Sequence, residues 1–325
     1  MGVIGNFPIK AGISFPAGAQ AVLYDATAPD KQIVGKSVEG VPTELWKFTG
    51  NKGVVRAVAV DLQGNVYSGS FDNTVRKINS NGQQVWSFTG NTGYVWSVAV
   101  DLQGNVYSGS EGEKNIKKIN SSGSQVWYFP KSTGYVFAIA VDLQGNIYAG
   151  DGRHNIIKIS SSGSEIWKFD TISYPRSVAV DLQGNVYCGT ENGAVIKINS
   201  SGSQIWSFTG NTNNVYAVAV DLQGYVYSAG VDKTIRKITN GGNQVWRFNC
   251  KSSMYSVAAD LQGDVYAGGV RVFYKISNYG QQEWILEDNV KNIYGIAVDI
   301  NWNVYGGSSD NTVCKIWDGY TIHTA

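Results

Sequence analysis

Arg56, Trp96, Phe137, Arg176, Tyr216, Tyr255 and Tyr294 hold one and the same place in a repeat that is otherwise nearly copied along the chain. Aromatic and arginine side chains dominate binding hot spots, because they bury large areas with few rotatable bonds and keep a polar handle. Short segments that also change from repeat to repeat are Phe71-Asp-Asn, Glu111-Gly-Glu-Lys-Asn, Asp151-Gly-Arg-His154-Asn, Glu191-Asn-Gly and Val231-Asp-Lys. The chemistry these residues offer is recognition. Catalytic chemistry is harder to assemble. The two histidines are His154 and His323, and there is no HExxH, no Cys/His cluster at metal spacing and no phosphate-cradling glycine loop. No Ser/His/Asp set can be completed from those two histidines. Each Asp-Leu-Gln-Gly-Asn segment offers one carboxylate, whereas calcium needs several convergent oxygens. Carboxylates gathered from loops, as in glycosidases, are the one catalytic arrangement left. The expectation is a non-enzyme with no metal and no cofactor.

Other columns do not vary. Tyr67, Tyr107, Tyr148, Tyr187, Tyr227, Tyr266 and Tyr305 form one, and Lys77, Lys118, Lys158, Lys197, Lys237, Lys275 and Lys315 form another. A functional reading makes them a ring of phenols or ammonium groups. The packing reading, which is preferred, buries each tyrosine with its hydroxyl bonded and lays each lysine stem on apolar surface with its head at water or a carboxylate. Trp46, Trp86, Trp127, Trp167, Trp206, Trp246 and Trp284 are read in the same way, as packing, with sugar stacking as the alternative.

These residues need a scaffold. The aspartates Asp61, Asp101, Asp142, Asp181, Asp221, Asp260 and Asp299 are spaced by 40, 41, 39, 40, 39 and 39 residues. Several short β-like runs inside a period of about 40 residues mark a propeller blade. In the first copy the pattern predicts strands at 57–60, 66–70, 74–79 and 84–88, with Gly64 supplying the positive φ of the first turn. The runs are too apolar for a one-sided sheet, so each blade is expected to be covered on both faces. Residues 44–48 read as a fourth strand without a first three, whereas the last repeat stops short of a fourth strand after Trp317. Together they make one blade. The fold expected is all-β: a seven-bladed β-propeller of four-stranded antiparallel blades over 43–325, its ring closed by an N-terminal strand.

Two resemblances accompany this pattern. Ser68-Gly-Ser-Phe-Asp72-Asn-Thr-Val-Arg-Lys-Ile-Asn79 resembles the segment between the second and third strands of a WD40 repeat, and Thr89-Gly-Asn-Thr-Gly-Tyr-Val resembles that family's loop between blades. Val-Trp-Ser-Phe followed by Asp-x-x-Gly-Asn-Val-Tyr is similar to PQQ-type propeller repeats. The likeness covers residues 43–320. It departs from WD40 proteins where asparagine (Asn91, Asn211) replaces the loop histidine and where the terminal Trp-Asp survives only as Trp317-Asp318. Cofactor-gripping residues of PQQ enzymes are not found. The resemblance implies that the varying column lies at the mouth of the central channel, on the face built by the loops that precede the first strand and join the second to the third. That column is then either a recognition surface or a plug of the channel.

Composition narrows the partners. Net charge is +1 and charged residues are 16% of the chain, so there is no basic field for nucleic acid. Cys188, Cys250 and Cys314 show no CxxC spacing and are read as free thiols. No apolar run approaches a membrane span, and no basic segment leads into an apolar one at the N-terminus, so synthesis in the cytoplasm without a secretory signal is expected. Residues 1–42 hold Pro8, Pro16, Pro29 and Pro42 but no tryptophan, and are read as an extension or docking arm with short strand-like pieces at 21–24 and 32–34. The expected role is a rigid interaction or display module with a protein partner, fastened by the arm to a larger assembly such as a phage or tail-like particle. The alternatives are an intracellular scaffold binding a peptide, and a carbohydrate-binding lectin with one glycan site per blade.

Overall fold

Each blade begins from one turn. In the first, Asp61 Oδ1 accepts the backbone N–H groups of Gln63 and Asn65, and Oδ2 accepts Asn65 Nδ2 and the hydroxyl of Tyr67, all within 2.8–3.0 Å. Gly64, at φ 75°, closes the turn by donating its N–H to the Asp61 carbonyl. The turn joins strands Val55–Val60 and Val66–Ser70, and Val75–Ile78 and Gln84–Phe88 complete the antiparallel blade. The computed structural model describes residues 19–20, 33–38, 42–112, 114–130, 134–287, 291–317 and 320–324; the expectations placed on 21–24, Gln32 and Asp318 lie outside these.

Seven such sheets follow one another, and the innermost strand of the last, Ile293–Val298, packs beside Val55–Val60 to close the ring. Residues on the inner strands are small where blades converge: a Cβ added to Gly295 would lie 2.9 Å from the Val58 nitrogen. The seventh blade takes its outer strand from the other end of the chain, Thr43–Phe48 pairing antiparallel with Val313–Trp317. No helix among the described residues is long and apolar enough to cross a membrane.

Two pieces of the N-terminal extension are strands. Ala19–Gln20 runs parallel to the inner strand Met254–Ala259 and lies near other inner strands, which places it on the channel side of the sixth blade. Ile33–Val38 pairs with Tyr320–Thr324 in a separate two-stranded sheet.

The invariant columns form one ladder across each blade. Tyr67, Lys77 and Trp86 are register partners on adjacent strands. The Tyr67 ring is fully buried, Lys77 Nζ lies 5.4 Å from its centroid, and the Trp86 ring is 6.0 Å away. Trp86 Nε1 donates to the Ser121 carbonyl of the next blade, 3.0 Å away. Its indole lies under Gly123, at φ 91°, where a Cβ would come within 3.0 Å of the ring. Trp46 makes the same latch onto Ser80 and Gly82, so the strand that completes the seventh blade also grips the first. Of the two readings of these columns, packing is the role the geometry shows. The three cysteines are buried and unpaired.

Deleting residues 1–49 removes both the outer strand and this latch, so that chain is expected to melt well below one lacking only residues 1–40; equal midpoints by circular dichroism would contradict the clasp. A second expectation concerns pH. Burial, reinforced by the neighbouring carboxylate, raises the hydroxyl pKa of Tyr67, Tyr107, Tyr148, Tyr187, Tyr227 and Tyr305 far above that of a free phenol. In the unfolded chain the same phenols ionise near about pH 10, so the folded state retains more protons there and its stability, full below that pH, falls as pH rises above it. Phenolate absorbance of these tyrosines should appear together with unfolding, and their titration in the native chain near pH 10 would refute the arrangement.

Candidate functional site: a ring of bulge residues at the channel mouth

The varying column has a structural cause. In all seven blades the register between the inner and second strands shifts at this residue: between Val55 and Ala57, Val95 and Ser97, Val136 and Ala138, Pro175 and Ser177, Val215 and Ala217, Met254 and Ser256, and Ile293 and Gly295. Arg56, Trp96, Phe137, Arg176, Tyr216, Tyr255 and Tyr294 are therefore β-bulge residues. The inner strand starts at Val55, two residues earlier than the sequence pattern predicts, because pairing with Ser70 resumes beyond the bulge. A bulge leaves its extra residue outside the ladder and re-aims its side chain.

The re-aimed side chains meet. Arg56 Cζ lies 5.4 Å from the Trp96 ring centroid and 4.7 Å from that of Tyr294. Trp96 meets Phe137 edge-on at 5.9 Å, and Arg176 covers Phe137 at 4.2 Å. On the other side Tyr216, Tyr255 and Tyr294 follow at 5.6 and 5.0 Å. Phe137 is buried and the other six are half-buried. Burial lowers the Arg56 pKa, opposed mainly by Tyr294 and Tyr216, and its Nη1 has no hydrogen-bond partner. Burial, helped by Tyr294 and Tyr216, raises that of Tyr255.

Around this ring the loops are tied together. The first residue of each loop between second and third strands donates its N–H to a carbonyl two residues before the bulge, as Phe71 does to Val54 and Glu191 to Tyr174. Buried asparagine adds a side-chain tie: Asn51 Oδ1 accepts from Ser68 Oγ at 3.3 Å and Arg76 Nη1 at 2.9 Å, and Asn211 does the same with Ser228 and Arg236. Asparagine thus carries hydrogen bonds at the position where the resembling WD40 family has histidine. Carboxylates hold the bulge residues themselves. Glu111 accepts from Trp96 Nε1 at 3.0 Å, and Glu191 from Arg176 Nε at 2.7 Å.

Sequence reasoning missed a second tier of aromatics. Tyr94, Tyr135 and Tyr174, two residues before the bulge in the second to fourth blades, are 45%, 44% and 38% exposed, whereas Asn214, Ser253 and Asn292 occupy that place in later blades. Tyr94 stacks on Phe71 at 4.4 Å, Tyr135 and Tyr174 flank Phe137, and His154 meets Tyr174 at 4.4 Å. One side of the face is an aromatic crescent and the other is not. Aligning this column as well would have exposed it.

A closed ring of seven four-stranded blades, with loop-borne side chains converging at one channel mouth, defines a seven-bladed β-propeller. The family described as "Outer membrane protein assembly factor BamB" matches residues 112–224 and 152–275, and "WD domain, G-beta repeat" matches 42–79. The chain belongs to the β-propellers built of PQQ-like and WD40-like repeats. It is similar to the WD40 β-propeller domain of Doa1, with a TM-score of 0.73 and 19% identity over 87% of this chain and 97% of that one. No curated protein matches.

Arg56 is a half-covered charge whose desolvation is offset by two cation–π contacts rather than by an ion pair. Arg56→Met is expected to leave the unfolding free energy unchanged or to raise it by about 1 kcal/mol. A loss of more than about 1 kcal/mol in denaturant titration would make Arg56 a packing residue instead.

Proposed function

We propose that the chain is a non-catalytic recognition module that binds a protein partner on the face carrying the bulge ring and the aromatic crescent. The observation that carries this reading is a break in symmetry. The ladders that hold the blades together repeat from blade to blade, whereas the bulge residue varies among aromatics and arginine and the residue two places before it is tyrosine in three consecutive blades. Packing does not require this difference, because the polar residues Asn214, Ser253 and Asn292 serve at the same backbone position in other blades. Exposed tyrosines on loops pinned by backbone hydrogen bonds lose little entropy on binding, which favours a pre-organised contact. The sugar-stacking alternative for the outer-strand tryptophans finds less support, since the indoles of Trp46, Trp86, Trp127, Trp167, Trp206 and Trp246 are engaged with the glycine turns of neighbouring blades.

The test replaces the crescent without touching the core. A Tyr94→Ser, Tyr135→Ser, Tyr174→Ser variant is expected to keep the melting temperature of the parent. It is expected to bind a partner isolated with the full-length parent at least about 30-fold more weakly, the loss of about 2 kcal/mol typical of a hot spot. Unchanged affinity in calorimetry would remove the crescent from the interface.

A further inference from the structure

The blades also differ in a column on the third strand, next to the loop that joins it to the second. In the first and fifth blades, an aspartate at the start of the third strand is followed four residues later by arginine. Arg76 Nη1 lies 2.8 Å from Asp72 Oδ2, and Arg236 Nη2 lies 3.4 Å from Asp232 Oδ2. In both, Oδ1 of the aspartate is taken by the hydroxyl and N–H of the threonine two residues on, Thr74 or Thr234. Both guanidinium groups are buried, at 7% and 4% residue exposure.

The seventh blade repeats the aspartate and the threonine but not the arginine. Asp310 Oδ1 accepts from Thr312 Oγ1 at 2.6 Å and from the Thr312 N–H at 3.3 Å, in the same arrangement. Four residues after it stands Cys314, whose thiol reaches only the Gly306 carbonyl at 3.6 Å. Asp310 is exposed and has no cation in ion-pair range among the described residues. Beside Cys314 lies a cavity of about 290 Å³ between the sixth and seventh blades. Phe273, Leu286, Ile293 and Cys314 supply apolar wall, and Ser308 and Asp310 supply oxygen.

We propose that this cavity is a binding site for an alkylguanidinium group, with the carboxylate of Asp310 as its acceptor and the apolar wall as the bed of its stem. The chain itself displays the expected pose twice, in Arg76 and Arg236. A guanidinium suits the place better than an ammonium because its planar fork can pair with a carboxylate along two N–H bonds while its weak hydration eases partial burial. Lys47 and Lys291 also border the cavity. Lys47 is already paired with Glu44 at 3.4 Å. A basic neighbour is also compatible with the pose: in the fifth blade Arg247 is the register partner of Arg236, as Lys47 is of Cys314. The inference rests on comparing the blades with one another.

The experiment uses the full chain, with ethylguanidinium and N-acetylarginine amide as probes and N-acetyllysine amide as control, read by calorimetry and thermal shift. Both guanidinium probes are expected to bind saturably in the range of about 1 mM, a typical fragment affinity, with the lysine probe weaker. Asp310→Asn should weaken them about tenfold or more. Cys314→Arg should raise the melting temperature and abolish the response, because the site is then filled from within. Binding of both probes identifies an arginine side chain of a partner as an acceptable source, and binding of ethylguanidinium alone identifies a free small guanidine. No saturable binding by either probe, or equal binding to the Asp310→Asn variant, overturns the proposal.

Discussion

The carboxylate at the head of each first turn is the group on which the rest of the blade depends. It is nearly buried, yet it accepts hydrogen bonds from two backbone amides and a phenol in every blade, and from an asparagine amide in most. Those bonds fix the turn between the two inner strands and pin the tyrosine ring, on which the lysine and then the tryptophan are stacked. The tryptophan in turn reaches across to the next blade. A chain of polar and aromatic contacts therefore runs from turn to neighbouring turn, from the seventh blade through the first to the sixth. Where the asparagine is exchanged the surroundings of the carboxylate change: Tyr225 in the fifth blade lacks the amide donor, and burial raises the pKa of Asp221. In the sixth, Asp264 replaces it, and the fully buried Lys275 lies 3.9 Å from that added carboxylate.

Closure of the ring adds one segment to the packing of the inner strands of the first and seventh blades. Thr43–Phe48 supplies backbone bonds to Val313–Trp317 and, through Trp46, a hydrogen bond to the Ser80 carbonyl of the first blade. The two blades made from the chain's ends are thereby joined by strand pairing on one side and by an indole latch on the other. The outer strands, with half-exposed Val85, Val126 and Ile166, face solvent.

Much of this was legible in the sequence, because period, turn glycines and strand-length apolar runs are local signals. The pairing of residues 44–48 with the last blade could be read from two complementary gaps. The bulge could not. It is defined by two residues on one strand opposing one on its partner, a count that exists only once the strands are paired, and so the apolar pattern marks the inner strand from Ala57 whereas pairing begins at Val55. Tyr94, Tyr135 and Tyr174 escaped notice because they lie in what reads as a connecting loop, and only its backbone tie to the neighbouring loop turns that loop into a platform. Cys314 read simply as a thiol. Its meaning emerged from the arginines that fill the same place in other blades.

The bulges separate two kinds of information in one strand. Residues on either side of Arg56 obey the pleat and must be small or apolar, whereas the bulge residue itself answers to no ladder partner. Arginine, tryptophan, phenylalanine and tyrosine all occur there within one chain, on the same register shift. The fold thus carries letters on a fixed page, and a library that varies the six half-buried positions would sample new binding surfaces on one unchanged strand register.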